Sequence, residues 1–282
     1  MSASTSYLST LPQHAIFGLP TEPSSASSSQ PPPLPALSGP RKRLLLRGSD
    51  LVLAVGHEIR IASVSDAKAR FDSSSDNLGD DYDIGHYKTL KSTALSFEIH
   101  QLVLNPTGKL LAVVGKNEVA VIVLPRKGWA SAYGNQIECR QVRINLLAFI
   151  DLLLTKPNMC RSLSVGRYYH SLPGSPPVAS AVWHPWGEEG SSLLVLTTDS
   201  LLREYNIADD AQEPAQTLSF LTASPKPTAS AARRGFSADD EEGARAVGMV
   251  VGGGAGWGPL TVMELMKNGD VRAICPFLPS KA

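Results

Sequence analysis

Three times along this chain a short apolar run is followed by a turn, a second apolar run, a tight polar turn and a third apolar run. Ile99–Leu104 leads through Asn105-Pro106-Thr107-Gly108 into Leu110–Val114, and Gly115-Lys116-Asn117 turns into Val119–Leu124. Val178–His184 leads through Pro185-Trp186-Gly187 into Leu193–Thr197, and Thr198-Asp199-Ser200 turns into Leu201–Ile207. Val247–Val251 passes a glycine-rich turn into Leu260–Met266, and Asn268-Gly269-Asp270 turns into Val271–Cys275. Runs of this length, rich in β-branched residues and bounded by Gly, Asn, Asp and Pro, are strand and hairpin signals, and Asn-Gly favours the turn that matches strand twist. An earlier hairpin, Leu51–Val55 with Glu58–Val64, has the same character. Repeated antiparallel units of this kind predict an all-β chain, and their regular spacing favours a WD40-like β-propeller over a β-sandwich with similar hairpins. A single blade has a face that only its neighbours can cover.

The stretches between these units differ in composition. Residues 21–40 are rich in Ser and Pro, and Thr222 to Gly243 carries Ser224-Pro225-Lys226-Pro227 and the acidic run Asp239 to Glu242. Such segments bury too little apolar surface to offset the entropy of ordering them. Residues 1–40 are therefore expected to be a largely disordered lead-in to a partial propeller over 41–282, with disordered loops near 72–83 and 222–243. Val142 to Cys160 breaks the pattern with the apolar insertion Ile144–Leu154, for which a helix is favoured over a strand. Two origins are open for it: translated intron sequence, or a real helix packed on a blade edge. At eleven residues, with Asn145 and Asp151 inside it, it is too short to span a bilayer, so no membrane insertion is expected.

Charge narrows the function classes. Lys+Arg and Asp+Glu are both 26, so there is no basic excess of the kind that direct nucleic-acid binding draws on. The three cysteines, Cys139, Cys160 and Cys275, have no C-x-x-C spacing and support neither a disulfide framework nor a zinc site. The N-terminus lacks the basic and apolar regions of a secretory signal, and a soluble intracellular protein is the default reading.

No motif for catalysis emerges, so no catalytic, cofactor-binding or metal residue is assigned and no cofactor is expected. Gly252-Gly253-Gly254-Ala255-Gly256-Trp257-Gly258 offers no register of G-x-G-x-x-G that opens a helix and reads as a corner between strands. The six histidines include no H-E-x-x-H pair; His14 falls in the lead-in, and His184 is expected to bond locally at its turn. No G-x-S-x-G elbow occurs, and Asp80-Asp81-Tyr82-Asp83 lacks the spacing of a calcium loop. Pro40-Arg41-Lys42-Arg43, with Arg47 nearby, suits a solvated strand start as well as a nuclear-localisation patch. Trp183 alternates with Val182 and reads as core, whereas Trp186 at the turn suits either packing or a partner anchor. A propeller hydrolase or lyase with a central-channel site is the rival reading, and it would need convergent ionisable groups at several blade starts.

The order of several motifs resembles a known family. Phe97 to Gly115, the run Val165-Gly166-Arg167-Tyr168-Tyr169-His170, and Val182-Trp183-His184-Pro185-Trp186-Gly187 followed by Leu193 to Ile207 are similar to the N-terminal β-propeller of the eighty-two/eighty-eight-kilodalton nucleoporin family. The resemblance covers roughly residues 42 to 279 with gaps. It implies a seven-bladed ring followed by coiled-coil segments, so this chain is expected to be a fragment or truncated product of about four blades. It also implies a structural scaffold at the nuclear pore complex, on its cytoplasmic face, supporting messenger RNA export. The implied partners are other nucleoporins: the C-terminal domain of a phenylalanine-glycine nucleoporin and the tail helix of another propeller nucleoporin. Partner-binding residues are not assigned. An incomplete ring leaves open blade edges, so the chain alone is expected to be aggregation-prone.

Overall fold

The computed structural model describes residues 11–18, 41–74, 86–126, 128–131, 133–141, 160–221 and 243–282. Sixteen strands are present among them, and fifteen of these form four successive antiparallel units. Blade 1 comprises β1 (Leu44–Arg47), β2 (Asp50–Val55), β3 (Glu58–Ser63) and β4 (Lys88–Ser92) in that spatial order. Blade 2 comprises β5 (Gln101–Leu104), β6 (Leu110–Val114), β7 (Val119–Val123) and β9 (Cys160–Val165). The strand β8 (Gln136–Gln141), which lies between β7 and β9 in sequence, runs parallel to both β4 and β9 and joins the outer edges of the two blades. Blade 3 is β10 (Val178–Trp183), β11 (Ser192–Thr197), β12 (Leu201–Asn206) and β13 (Gln216–Ser219). Blade 4 shows β14 (Ala246–Val251), β15 (Val262–Met266) and β16 (Val271–Ile274). The three repeated triplets are thus the three inner strands of blades 2, 3 and 4.

Period-2 alternation on a strand buried on both sides explains the stacking. On β6, Leu111 and Val113 face a core shared with Ile59, Ile61 and Leu90 of blade 1, while Leu110, Ala112 and Val114 face Trp183, Leu193 and Val195 of blade 3. On β11, Leu193 and Val195 face blade 2, while Leu194 and Leu196 face Ala246 and Val262 of blade 4. Each such aliphatic side chain taken out of water is worth about 2 kcal/mol. Three separate cores therefore lie between four sheets, which is β-propeller architecture rather than two stacked layers.

Contacts near the ring axis reinforce these cores. The backbone N–H of Leu102 donates to Lys42 O at 2.7 Å, and the Gln101 amide both donates to Ala181 O and accepts from Ala181 N at 3.1 Å. The Arg41–Arg47 region is a strand start: Arg43 pairs with Glu98 at 2.9 Å, and Arg47 donates to Pro125 O at 2.7 Å.

Several sequence expectations need correction. Residues 11–18 do not belong to a free lead-in: they form two short 3-10 turns, with Ile16 inserted against Leu51 and Ala62 of blade 1. His14 is buried there and accepts a hydrogen bond from Ile16 N, and the buried Arg60 guanidinium donates to Ile16 O and Gly18 O. The 58–64 run ends in a helix, α1 (Val64–Ser74), which extends into the expected loop near 72–83. The cysteines depart from expectation as well. Cys139 and Cys160 form a disulfide across the β8–β9 register, with their Cα atoms 4.2 Å apart. Their separation of 21 residues gave no hint of it, because the pairing is created by two parallel strands meeting at a blade edge. The insertion over 142–159, the Asp80–Asp83 run and the 222–242 loop lie outside the described residues. Among the described residues no helix is long and apolar enough to cross a membrane.

Candidate docking surfaces

Two kinds of place in this ring carry groups that packing alone does not explain: the corners between first and second strands, and the rim between blades 2 and 3. The corners are linked from blade to blade. Asn105 accepts from Lys109 N and Leu110 N at 2.9 Å, which closes its own turn, and donates to Gly190 O of the next corner at 3.0 Å. His184 repeats the device. Its Nδ1 accepts from Trp186 N at 3.2 Å, which leaves Nε2 as the donor to Pro259 O of blade 4 at 3.0 Å. Burial lowers the pKa of His184, so this neutral tautomer is the stable form. The local bonding expected of His184 is present, and it also reaches the neighbouring blade.

The two tryptophans of the blade 3 corner divide. Trp183 is core, and its indole N–H donates to Val103 O of blade 2 at 2.9 Å. Trp186 stays 45% exposed. At the blade 4 corner the glycine run is a hairpin neck, as read from the sequence. A Cβ on Gly258 would sit 2.1 Å from Gly253 O, so only glycine lets the strands close there. The loop so pinched off holds Trp257 at 67% exposure.

At the rim, Gly166 adopts left-handed backbone (φ 54°) and opens a one-turn helix, α2 (Arg167–His170). A Cβ at Gly166 would meet the Tyr205 hydroxyl at 2.3 Å. That hydroxyl bonds His170 Nε2 at 3.0 Å, and both side chains are fully buried. Burial and the nearby Arg203 push His170 down to about 4, and burial pushes Tyr205 up, so both are neutral over the physiological range. Tyr169 donates to Glu213 at 2.5 Å and lies under the Arg203 guanidinium. Held from beneath in this way, α2 and the turn after it present Tyr168 at 71% and Leu172 at 52% exposure over a hollow of about 570 Å³ lined also by Gln141, Leu163 and Gln212. The motif Val165–His170 was legible in the sequence, but its role as a mount for an outward tyrosine was not.

Three groups with shifted pKa values are structural. His170 and Tyr205 bond each other inside the protein, and Glu264 is buried on β15 at the blade 3–4 contact with its pKa raised by that burial. Among the described residues no group of His, Cys, Asp and Glu is arranged to hold a metal. The chemistry this geometry offers is recognition: exposed aromatic and aliphatic side chains on rigid mounts.

Comparison with known proteins identifies the family. The family model described as the nucleoporin NUP82 β-propeller matches residues 5–282. Nucleoporin NUP82 of Chaetomium thermophilum is 29% identical over 271 residues, which cover 86% of this chain and 28% of that protein. Nucleoporin nup82 of Schizosaccharomyces pombe is 28% identical over 255 residues, again 86% of this chain and 28% of the relative. The chain therefore spans a little over a quarter of the length of these curated relatives. Among solved structures, a chain in the crystal structure of the Chaetomium thermophilum heterotrimeric Nup82 NTD–Nup159 TAIL–Nup145N APD complex superposes with a TM-score of 0.61 at 25% identity. The match covers 90% of this chain and 47% of that one. With its blades, their order and almost its whole length accounted for, the chain belongs to the nucleoporin NUP82 β-propeller family, which is a family of structural proteins and not of enzymes.

Proposed function

We propose that this chain supplies the first four blades of a longer, seven-bladed ring in a nucleoporin that acts as a docking scaffold of the nuclear pore complex. The observation that carries the reading is the outward face of blade 4. There Val250, Leu265 and Val271 are 53%, 45% and 62% exposed, whereas the corresponding face of blade 3 is packed against blade 4. An apolar sheet face of that kind suits a further blade. The solved relative is about twice as long as the part that matches, which leaves room for such blades.

On this reading the partners are other nucleoporins. The related Nup82 chain is described in complex with a Nup159 tail and a Nup145N domain, which supports equivalents of both as ligands here. On the same reading the scaffold sits at the cytoplasmic face of the nuclear pore complex and supports messenger RNA export. Docking needs a rigid ring with a few aromatic anchors, each able to dominate a contact. The test is affinity purification of the tagged gene product from its own cells. Recovery of nuclear pore components is expected, and their absence under conditions that keep pore subcomplexes intact would refute the proposal.

A further inference from the structure

The corners of blades 3 and 4 form one continuous surface. His184 of one bonds Pro259 of the other, and Phe277, which follows β16, packs on the His184 ring with centroids 5.4 Å apart. Three large apolar side chains stand out from this surface: Trp186, Trp257 and Leu278, at 45%, 67% and 59% exposure. None is loose. Trp186 N is bonded to His184, and Trp257 O accepts from Leu260 N at 3.1 Å and from the Thr261 hydroxyl at 2.8 Å. The carbonyl of Leu278 accepts from Gln216 Nε2 at 2.8 Å.

Carboxylates predominate beside these anchors. Glu188 and Glu189 are exposed two and three residues after Trp186, and Asp209 lies on the adjoining turn. The three segments meet in space: Glu188 N donates to Lys281 O at 3.1 Å, and Lys281 Nζ pairs with Asp209 at 2.5 Å. Among the described residues named at this corner, the three carboxylates of Glu188, Glu189 and Asp209 outnumber the one ammonium of Lys281, which is paired with Asp209. We propose that this corner face docks a segment of a partner protein in which Lys or Arg residues alternate with apolar ones. The apolar residues would pack on Leu278 and the indoles, and the cations would lie over the indole faces and beside Glu188 and Glu189. An acidic segment or a nucleic acid would meet like charge here. The proposal rests on the scaffold reading and names the chemistry of one of its ligands.

The test uses the 282-residue chain and two fluorescein-labelled peptides of about twelve residues, one alternating Lys with Leu and the other Glu with Leu, followed by anisotropy at about 50 and about 300 mM salt. The Lys–Leu peptide is expected to bind, more weakly at high salt, and the Glu–Leu peptide to bind at least about tenfold less tightly. Trp186→Ala with Trp257→Ala should weaken the Lys–Leu peptide by about tenfold or more. Glu188→Lys with Glu189→Lys, which leaves the indoles in place, should weaken it similarly and reverse the preference between peptides. Equal binding of both peptides, or binding that follows the charge reversal but ignores loss of both indoles, overturns the proposal. Recovery of nucleoporins by the tagged gene product bears on the scaffold reading alone, so the two ideas fail separately.

Discussion

Replacing Glu204 with alanine should detach the end of the chain from blade 3 and lower the stability of the whole ring segment. Glu204 lies on β12 with 1% of its surface exposed. Its carboxylate accepts from Ser192 Oγ at 2.7 Å, from Gln216 Nε2 at 2.5 Å and from Ser280 N at 3.0 Å. It therefore ties β11 and β13, its neighbours on either side, to the segment that leads from β16 back across blade 3. A hydrogen bond to a charged group contributes about 1.5–3 kcal/mol, and truncation also leaves the donors of Ser192 and Ser280 without their acceptor. Allowing for partial rescue by water at Ser280, the expected cost is about 3–5 kcal/mol, or about 10 °C in Tm for a domain of this size. Differential scanning fluorimetry gives the shift, and amide hydrogen exchange should show faster exchange at Ser280. Glu204→Gln keeps one acceptor oxygen but turns an N–H toward existing donors, so it should fall between wild type and alanine. A Glu204→Ala protein that melts within about 2 °C of wild type with unchanged exchange at Ser280 would refute the assignment of this carboxylate as the tie.

Three further outcomes are expected. Leu194, fully buried between blades 3 and 4, should cost about 3 kcal/mol when replaced by alanine, read as a shift of the denaturant midpoint. Gly166→Ala forces a Cβ against the Tyr205 hydroxyl from a left-handed backbone, so it should destabilise by more than about 2 kcal/mol, whereas Gly174→Ala, whose Cβ meets nothing within 4 Å, should cost only its backbone strain. His170 is depressed to about 4 in the folded state, below its unfolded value of 6.5, so the unfolded chain binds the proton first as the pH falls. Its contribution is complete above pH 6.5, and about 3 kcal/mol is lost as the pH falls to 4. Tm measured against pH should show that slope, and His170→Phe should flatten it.

The inner strands of blades 2 to 4 could be read along the chain because they are covered on both sides. A strand sandwiched between two sheets must be apolar at nearly every position, as Leu110–Val114 and Leu193–Thr197 are, and such runs stand out against polar turns. The corner residues Asn105 and His184 were visible for a similar local reason, since each closes its own turn before reaching outward. The outer strands were not visible. β4 reads Lys-Thr-Leu-Lys-Ser, β8 reads Gln-Ile-Glu-Cys-Arg-Gln and β13 reads Gln-Thr-Leu-Ser, and each meets solvent on part of its surface, so no apolar run marks it.

What the amino-acid order determined by itself is the unit: three inner strands, two turns, and faces too apolar to stand alone. Tertiary structure alone decided how the units meet. The parallel strand β8 joining two blades, the disulfide it creates, the seat of residues 11–18 on blade 1 and the bond from His184 to Pro259 of the next corner all depend on residues far apart in the chain. Period and turn chemistry are local and survive in one dimension. Contacts between blades are set by which side chains the ring brings face to face, and no spacing along the chain encodes them.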